Sequence, residues 1–330
     1  MPRFNVSPYA SLWAGGFAFR ARCVTIYPRH ATNSDSPHPV IRLSQRIQPW
    51  LFLAPYLIGT FVLIVLPALV TSVIAFTDYN ALSTPTFTGL DNFRQMWESP
   101  IVRASLRNTL VFVMVAVPLR MLGALLLALL LQRKRRLFGL YRAMVYIPTI
   151  IPETAFGLLG LWIFNPVFGP LNQLLALVGL PQPAWLTTAA GAQTAIILLL
   201  TLQLGEGFIV LLAGLQMIPR AVYEAAAVDG ASEWQSFWQI TLPLLTPWML
   251  LLLFRDLLMS VQMTFAPSFV MTYGGPYYAT TYVPLLIYEL AFDLFELGIA
   301  AALLLLFYLM IGLMIVIVVR VVGVERSYGS

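Results

Sequence analysis

Glu224-Ala-Ala-Ala-Val-Asp-Gly230, then nine residues, then Ile240-Thr-Leu-Pro243: this stretch lies between two runs apolar enough to cross a bilayer. Pro219 precedes an Ala-rich segment, Ala221–Val228, whose residue types favour a helix. Glu224 falls in its first turns, where a carboxylate interacts well with the helix dipole. Asp229-Gly230 is a turn signal, and Gly230 can take the positive φ that ends a helix. Ser232-Glu233-Trp234-Gln235 fits a capping box, so a second helix starts at Ser232. Trp234, Phe237 and Trp238 then share one face. Pro243 and Pro247 admit the chain to the next apolar run. The stretch reads as helix, tight turn, helix. Its small alanines permit close approach by another surface, and both a docking surface and a connector packed on its own domain fit the residues.

The composition sets the environment of that loop. The chain has 330 residues, 59% apolar and 10% charged, against about 25% charged in a soluble domain. Six runs are long enough to span a membrane, at about 51–76, 109–131, 143–164, 192–214, 247–270 and 298–322. Each covers about 30 Å of hydrocarbon at about 1.5 Å per residue. The organisation expected is a tail at 1–48, a transmembrane domain at 49–322 with the loop at 215–246, and a short tail at 323–330. Residues 1–48 are mixed in character, and a secretory-signal reading of the apolar patch at 9–19 is weak.

Lys/Arg placement orients the chain. With the N-terminus inside, fourteen Lys/Arg fall in inside segments and three (Arg94, Arg103, Arg107) outside, the asymmetry expected of cytoplasmic loops. Both termini and the 215–246 loop are then cytoplasmic. The net charge of +5 is a topology signal and gives no reason to expect nucleic acid. Outside, Glu289, Asp293 and Glu296 are spaced to share one helical face.

Several chemistries are unsupported. Cys23 is the single cysteine, so neither an internal disulfide nor a cysteine metal cluster is possible. His30 and His38 lie in the polar N-terminal stretch, away from the spans. The lone lysine, Lys134, sits in Arg-Lys-Arg-Arg, so the Gly-Lys-Ser/Thr of a P-loop is absent.

Glu224, Ala225, Ala226, Gly230, Ile240, Leu242 and Pro243 match residue for residue the Glu-Ala-Ala loop of bacterial ATP-binding-cassette importer permeases. Thr88-Gly89-Leu90-Asp91-Asn92-Phe93, Asn165-Pro166-Val167-Phe168-Gly169 and Gly274-Gly275-Pro276 resemble further stretches of that family. The likeness covers about residues 50–320 and looks most like the carbohydrate and glycerol-phosphate branch. It implies an all-α, six-span type I importer core in the bacterial inner membrane. It also implies a second homologous permease subunit, two ATP-binding subunits and an extracytoplasmic solute-binding protein. ATP and Mg would be held by the ATPase partner, with no cofactor in this chain and no catalytic residue. The loop, with Asp229 at its turn, would be the coupling helix that sits in a cleft of the ATPase.

Arg120, Glu153, Glu206, Arg255 and Asp256 lie within the expected spans, where ionisable groups face a partner or a cavity. Pairing among them is one reading, with Arg120 joined to Glu153 or Glu206, or facing the second permease. A polar translocation path is the other. Sugars offer hydroxyls for hydrogen bonds and apolar faces for stacking. Glu206 and Gln262 are the first candidates for that path, followed by Gln203, Tyr146 and Glu153. A glycerol-phosphate or polyol importer of the same class is the alternative. A proton-coupled secondary carrier is a more distant one, since such carriers usually show internal repeats, no clear duplication is seen, and they have no use for the loop.

Overall fold

A computed structural model describes residues 48–132 and 138–322. The expected tails, apart from residue 48, lie outside the described residues. The chain divides into units 1–57 and 58–330. The first contributes only the opening of α1 (Gln48–Thr60), whose side chains from Trp50 to Tyr56 are largely exposed.

The second unit is almost wholly helical. A π turn, Phe61–Val65, leads into α2 (Leu66–Ile74). A short antiparallel ladder follows, β1 (Thr77–Asp78) with β2 (Thr86–Phe87), Thr77 opposite Phe87. Then come α3 (Asp91–Glu98), α4 (Pro100–Leu130), α5 (Phe138–Ile150), α6 (Glu153–Ile163) and α7 (Pro170–Leu177). Next are α8 (Ala189–Thr201), α9 (Gly205–Met217), α10 (Arg220–Val228) and α11 (Glu233–Ser236). A π turn, Phe237–Thr241, joins α11 to α12 (Leu242–Gln262). The described chain closes with α13 (Phe265–Met271), α14 (Val283–Tyr288), a π turn at Glu289–Asp293, and α15 (Leu297–Val322).

Four continuous helical stretches are long and apolar enough to cross a membrane: Pro49–Ile74, Pro100–Leu130, Glu233–Met271 and Leu297–Ile317. Two bent pairs, α5 with α6 and α8 with α9, bring the number to six if each pair is one span. The second span thus starts about nine residues earlier than its apolar run, because Ser99 caps α4 through its hydroxyl and Pro100 occupies a position that needs no N–H donor.

Four expectations need correction. The run at 143–164 is not one rod: α5 and α6 meet at 101°. Pro152 has no N–H to continue the ladder and pushes Ile151 out of the helical region. The run at 192–214 is bent by 44° between α8 and α9, with no proline at the bend. Pro243 does not separate a loop helix from the fifth span, for Glu233–Met271 is continuous. The π turn before Pro243 widens the ladder, with the Leu242 amide bonding Phe237 O five residues back, and so relieves the clash a proline ring makes with the preceding turn. The same device precedes Pro67, where the Leu66 amide bonds Phe61 O.

The acids at 289–296 do not lie along one regular α-helix, and Glu296 falls beyond its end. The π turn resets the phase, and Phe295 takes a φ of 56° that ends the segment. Asp293 instead accepts a hydrogen bond from the Tyr273 hydroxyl at 2.8 Å. Burial, then the neighbouring Asp293 carboxylate, push the Glu289 carboxyl above its ordinary value.

The core runs through α4, α8, α12, α14 and α15, with Phe112, Ile196, Tyr282 and Leu303 essentially sealed from solvent. Small residues set the closest approaches. Gly157 and Gly160 of α6 face α13, where a side chain at Gly160 would run into Leu199 and Met271, the small-residue contact that lets helices pack in lipid. Two buried asparagines pin loops between the helices. Asn92 donates to Ala75 O at 2.9 Å and Thr77 O at 2.8 Å. Asn172 donates to Pro166 O and Pro183 O, both at 3.1 Å, and accepts from the Trp185 indole at 2.8 Å.

Candidate functional site

The loop at 219–243 is built as its residues dictate. Pro219 caps α10 with extended backbone. The helix ends at Gly230, φ 80°, with Ala231 N–H bonding Ala226 O at 2.9 Å and Gly230 N–H bonding Ala227 O at 3.1 Å. That pair of bonds is a Schellman closure, which satisfies the last carbonyls. The capping box then opens α11: the Gln235 amide donates to the Ser232 hydroxyl at 3.2 Å, and the Ser232 amide to Gln235 Oε1 at 2.8 Å. Trp234, Phe237 and Trp238 pack ring on ring, with centroids 5.3 to 6.2 Å apart.

The structure splits the motif in two. Glu224, Ala225, Asp229 and Gly230 are exposed and Ala226 half-exposed. Nothing lies within 4 Å of a side chain built on Gly230. Ile240 and Leu242 are half-buried at the other end, beside fully enclosed Leu245, while Pro243 is exposed. One end is anchored in the helical core and the other projects. Tyr223 completes the anchor, its hydroxyl 2.9 Å from Thr241 Oγ1. Sequence reasoning missed this pair, which no local spacing signals.

The membrane charges are gathered, in a pattern other than the one expected. Arg255 makes an ion pair with Glu206 and a second with Asp256 at 3.0 Å. Arg120 lies 3.6 Å from Asp256 and donates to the Ser260 hydroxyl and, at 3.4 Å, to Met263 Sδ. Arg120 therefore pairs with Asp256, not with Glu153 or Glu206. The inner half of this network is sealed, with side chains 3% and 11% exposed for Arg120 and Asp256; the outer half is open, at 34% and 44% for Arg255 and Glu206. Buried charges need such partners, and pairing joins α4 to α12 while Arg255 reaches α9.

Most of the path candidates collect where the two bent spans meet. Gly205, directly after the α8–α9 bend, lies against the α5 backbone: a Cβ there would fall 2.9 Å from Tyr146 Cα and 3.0 Å from Thr149 Cγ2. Gln203 occupies the bend, and its Oε1 is buried without a hydrogen-bond partner among the described residues. Glu206 follows in the first turn of α9, and Glu153 begins α6 beyond the other bend. Irregular backbone at membrane depth is tolerated where it is enclosed by protein or lines a cavity, and broken helices recur at transporter binding sites. Gln262 is exposed at the end of α12, and no hydrogen bond joins it to the others. The geometry predicts that Gly205→Val forces α5 from α9, an overpacking cost of about 1–3 kcal/mol. A lowered unfolding temperature in detergent, with Gly205→Ala intermediate, is the expected result.

Residues 120–324 match the family described as "Binding-protein-dependent transport system inner membrane component". The chain is 34% identical over 287 residues to the "Probable ABC transporter permease protein YesP" of Bacillus subtilis, covering 84% of this chain and 91% of that one. It is 32% identical over 267 residues to the sulfoquinovosyl glycerol transport system permease protein SmoG of Agrobacterium fabrum, covering 79% and 85%. In fold it is similar to a chain of a bacterial alginate ABC transporter solved in complex with an alginate pentasaccharide-bound periplasmic protein. That likeness has a TM-score of 0.73 at 24% identity and covers 87% of this chain and 99% of the other.

Proposed function

Since this chain belongs to the family of binding-protein-dependent transport system inner membrane components, a multi-pass and non-catalytic permease subunit, we propose that it forms half of the translocation path of an ATP-driven sugar importer and couples to the ATPase through the 219–243 loop. The observation that carries this reading is the projecting, solvent-exposed end of α10, held rigid by the Schellman closure and the Tyr223–Thr241 contact. Two ATP-binding subunits, carrying ATP and Mg, would take α10 in a cleft. A second homologous permease would complete the path, and an extracytoplasmic binding protein would deliver solute. With the loop cytoplasmic, as the Lys/Arg count favours, both termini are cytoplasmic and the membrane is the bacterial inner membrane.

The cycle then follows. ATP binding closes the ATPase dimer and draws the coupling helices together. The spans rock from inward-open to outward-open, solute enters from the binding protein, and hydrolysis resets the inward state. A sugar solute is supported by the name of one relative, a sulfoquinovosyl glycerol transport system permease protein, and by Gln203, Glu206 and Tyr146, which offer acceptors, donors and a ring face at the junction of the bent spans. Uptake of labelled oligosaccharides by vesicles holding the whole complex, with enclosed ATP and external binding protein, tests it. Uptake that needs both supports the reading. Uptake driven by a proton gradient without ATP overturns it. Glu206→Ala with Gln262→Ala is expected to reduce uptake at least about tenfold, the effect of roughly 1.4 kcal/mol, while ATPase copurifies normally. Unchanged uptake would remove those residues from the path.

A further inference from the structure

A cleft of about 990 Å³ separates α10 and α11 from the ends of α4, α5 and α9. Gln132, Phe138, Arg142, Leu215, Arg220 and Glu233 are among its lining residues. Arg142 lies with its guanidinium 4.0 Å over the Phe138 ring, and its Nε is buried without a hydrogen-bond partner among the described residues. A guanidinium donor removed from water and left unpaired is costly, so this wall presents an unmet need for an acceptor. Two guanidinium groups and one carboxylate line the cleft, which leaves it net cationic. In the sequence, Gln132 is followed by Arg-Lys-Arg-Arg, the most cationic run of the chain.

Its level matters as much as its charge. The walls come from where α4 and α9 end, at Leu130 and Met217, and where α5 begins, at Phe138. Spanning helices leave the hydrocarbon there. Phe138 and Leu215 add an apolar surface that a free inorganic anion has no use for. We propose that the cleft binds an anionic membrane phospholipid, with the headgroup phosphate between Arg142 and Arg220 and the glycerol backbone against Phe138 and Leu215. Basic pockets between membrane helices on the cytoplasmic side are suited to such headgroups. The lipid would wedge the coupling helix against the spans and make its position depend on the bilayer. The inference rests on the cytoplasmic placement of this loop proposed above.

Native mass spectrometry of the purified complex from nanodiscs of phosphatidylcholine, with and without phosphatidylglycerol, tests it. Wild type is expected to retain about one phosphatidylglycerol per permease more than Arg142→Gln/Arg220→Gln, while Arg142→Lys/Arg220→Lys keeps most of it through the conserved charge. Added sn-glycerol 3-phosphate or inorganic phosphate should leave the bound lipid in place. Equal retention by wild type and the glutamine variant, or no retention by wild type, would overturn the proposal. Displacement of the lipid by the soluble phosphates would do so too and identify a soluble-anion site. Should the glutamine variant fail to assemble, wild-type retention and the lysine variant still decide. The lipid count is read whether or not the ATPase responds, so failure of coupling with lipid retained indicts the coupling reading alone.

Discussion

Glu224→Lys or Gly230→Trp is expected to leave the subunit inserted in the membrane and to weaken its hold on the proposed ATPase partner. Both positions are exposed, so neither change disturbs packing within the chain. Glu224→Lys reverses the charge on the projecting helix. Gly230→Trp places a large ring at the helix end and also forces a Cβ into a φ of 80°, at roughly 1–2 kcal/mol. A contact worth about 2 kcal/mol at a hot spot changes affinity roughly thirtyfold. Copurification of the ATPase with each variant, against normal membrane levels of the subunit, is the measurement. Wild-type copurification and transport with both variants would refute the docking role. Gly230→Ala separates the two causes: it carries the backbone strain without the bulk, and a milder loss is expected.

The second large effect lies in the buried charges. Asp256→Leu leaves Arg120, 3% exposed, facing Ser260 and Met263 with no carboxylate. Breaking a buried pair in this way costs about 3–5 kcal/mol. Arg120→Met should cost less, because Asp256 keeps Arg255 at 3.0 Å. Joining the two, Arg120→Met with Asp256→Leu, is expected to recover most of what Asp256→Leu loses, since well-packed apolar groups often replace a buried pair at little cost. Thermal unfolding in detergent and the abundance of folded protein rank the three. An additive double variant would mean that the pair is not coupled. Arg255 is the partner left over in both backgrounds, and its open side, shared with Glu206, leaves uptake of solute as a separate readout.

What could be read in the residues was what is decided within a few residues. The capping box at Ser232–Gln235, the positive φ at Gly230 and the ring cluster of Trp234, Phe237 and Trp238 each follow from spacing of four residues or fewer. Pro152 signals the break between α5 and α6, yet its angle depends on α13 packing against Gly157 and Gly160. The α8–α9 bend has no proline to announce it. Beside it Gly205 fits against Tyr146, a contact between distant parts of the chain that no local pattern signals. Likewise the five membrane charges were visible, but nothing local told Arg120 to take Asp256 over Glu206. The π turn at Glu289–Asp293 misled the periodicity outright, because one extra residue in a turn rotates every later side chain. The candidate site follows the same division: the capped helix and turn at its exposed end were legible, and its anchor, Tyr223 on Thr241, was not.

The central claim is that this chain transmits work done by ATP on another subunit, through the end of α10, to a path it shares with a second permease. ATP hydrolysis by the reconstituted complex, with and without solute-loaded binding protein, tests it most directly. Wild type should show hydrolysis stimulated by the binding protein, and Glu224→Lys should lose that stimulation although the permeases still assemble. Undiminished stimulation in the Glu224→Lys and Gly230→Trp complexes would contradict the account.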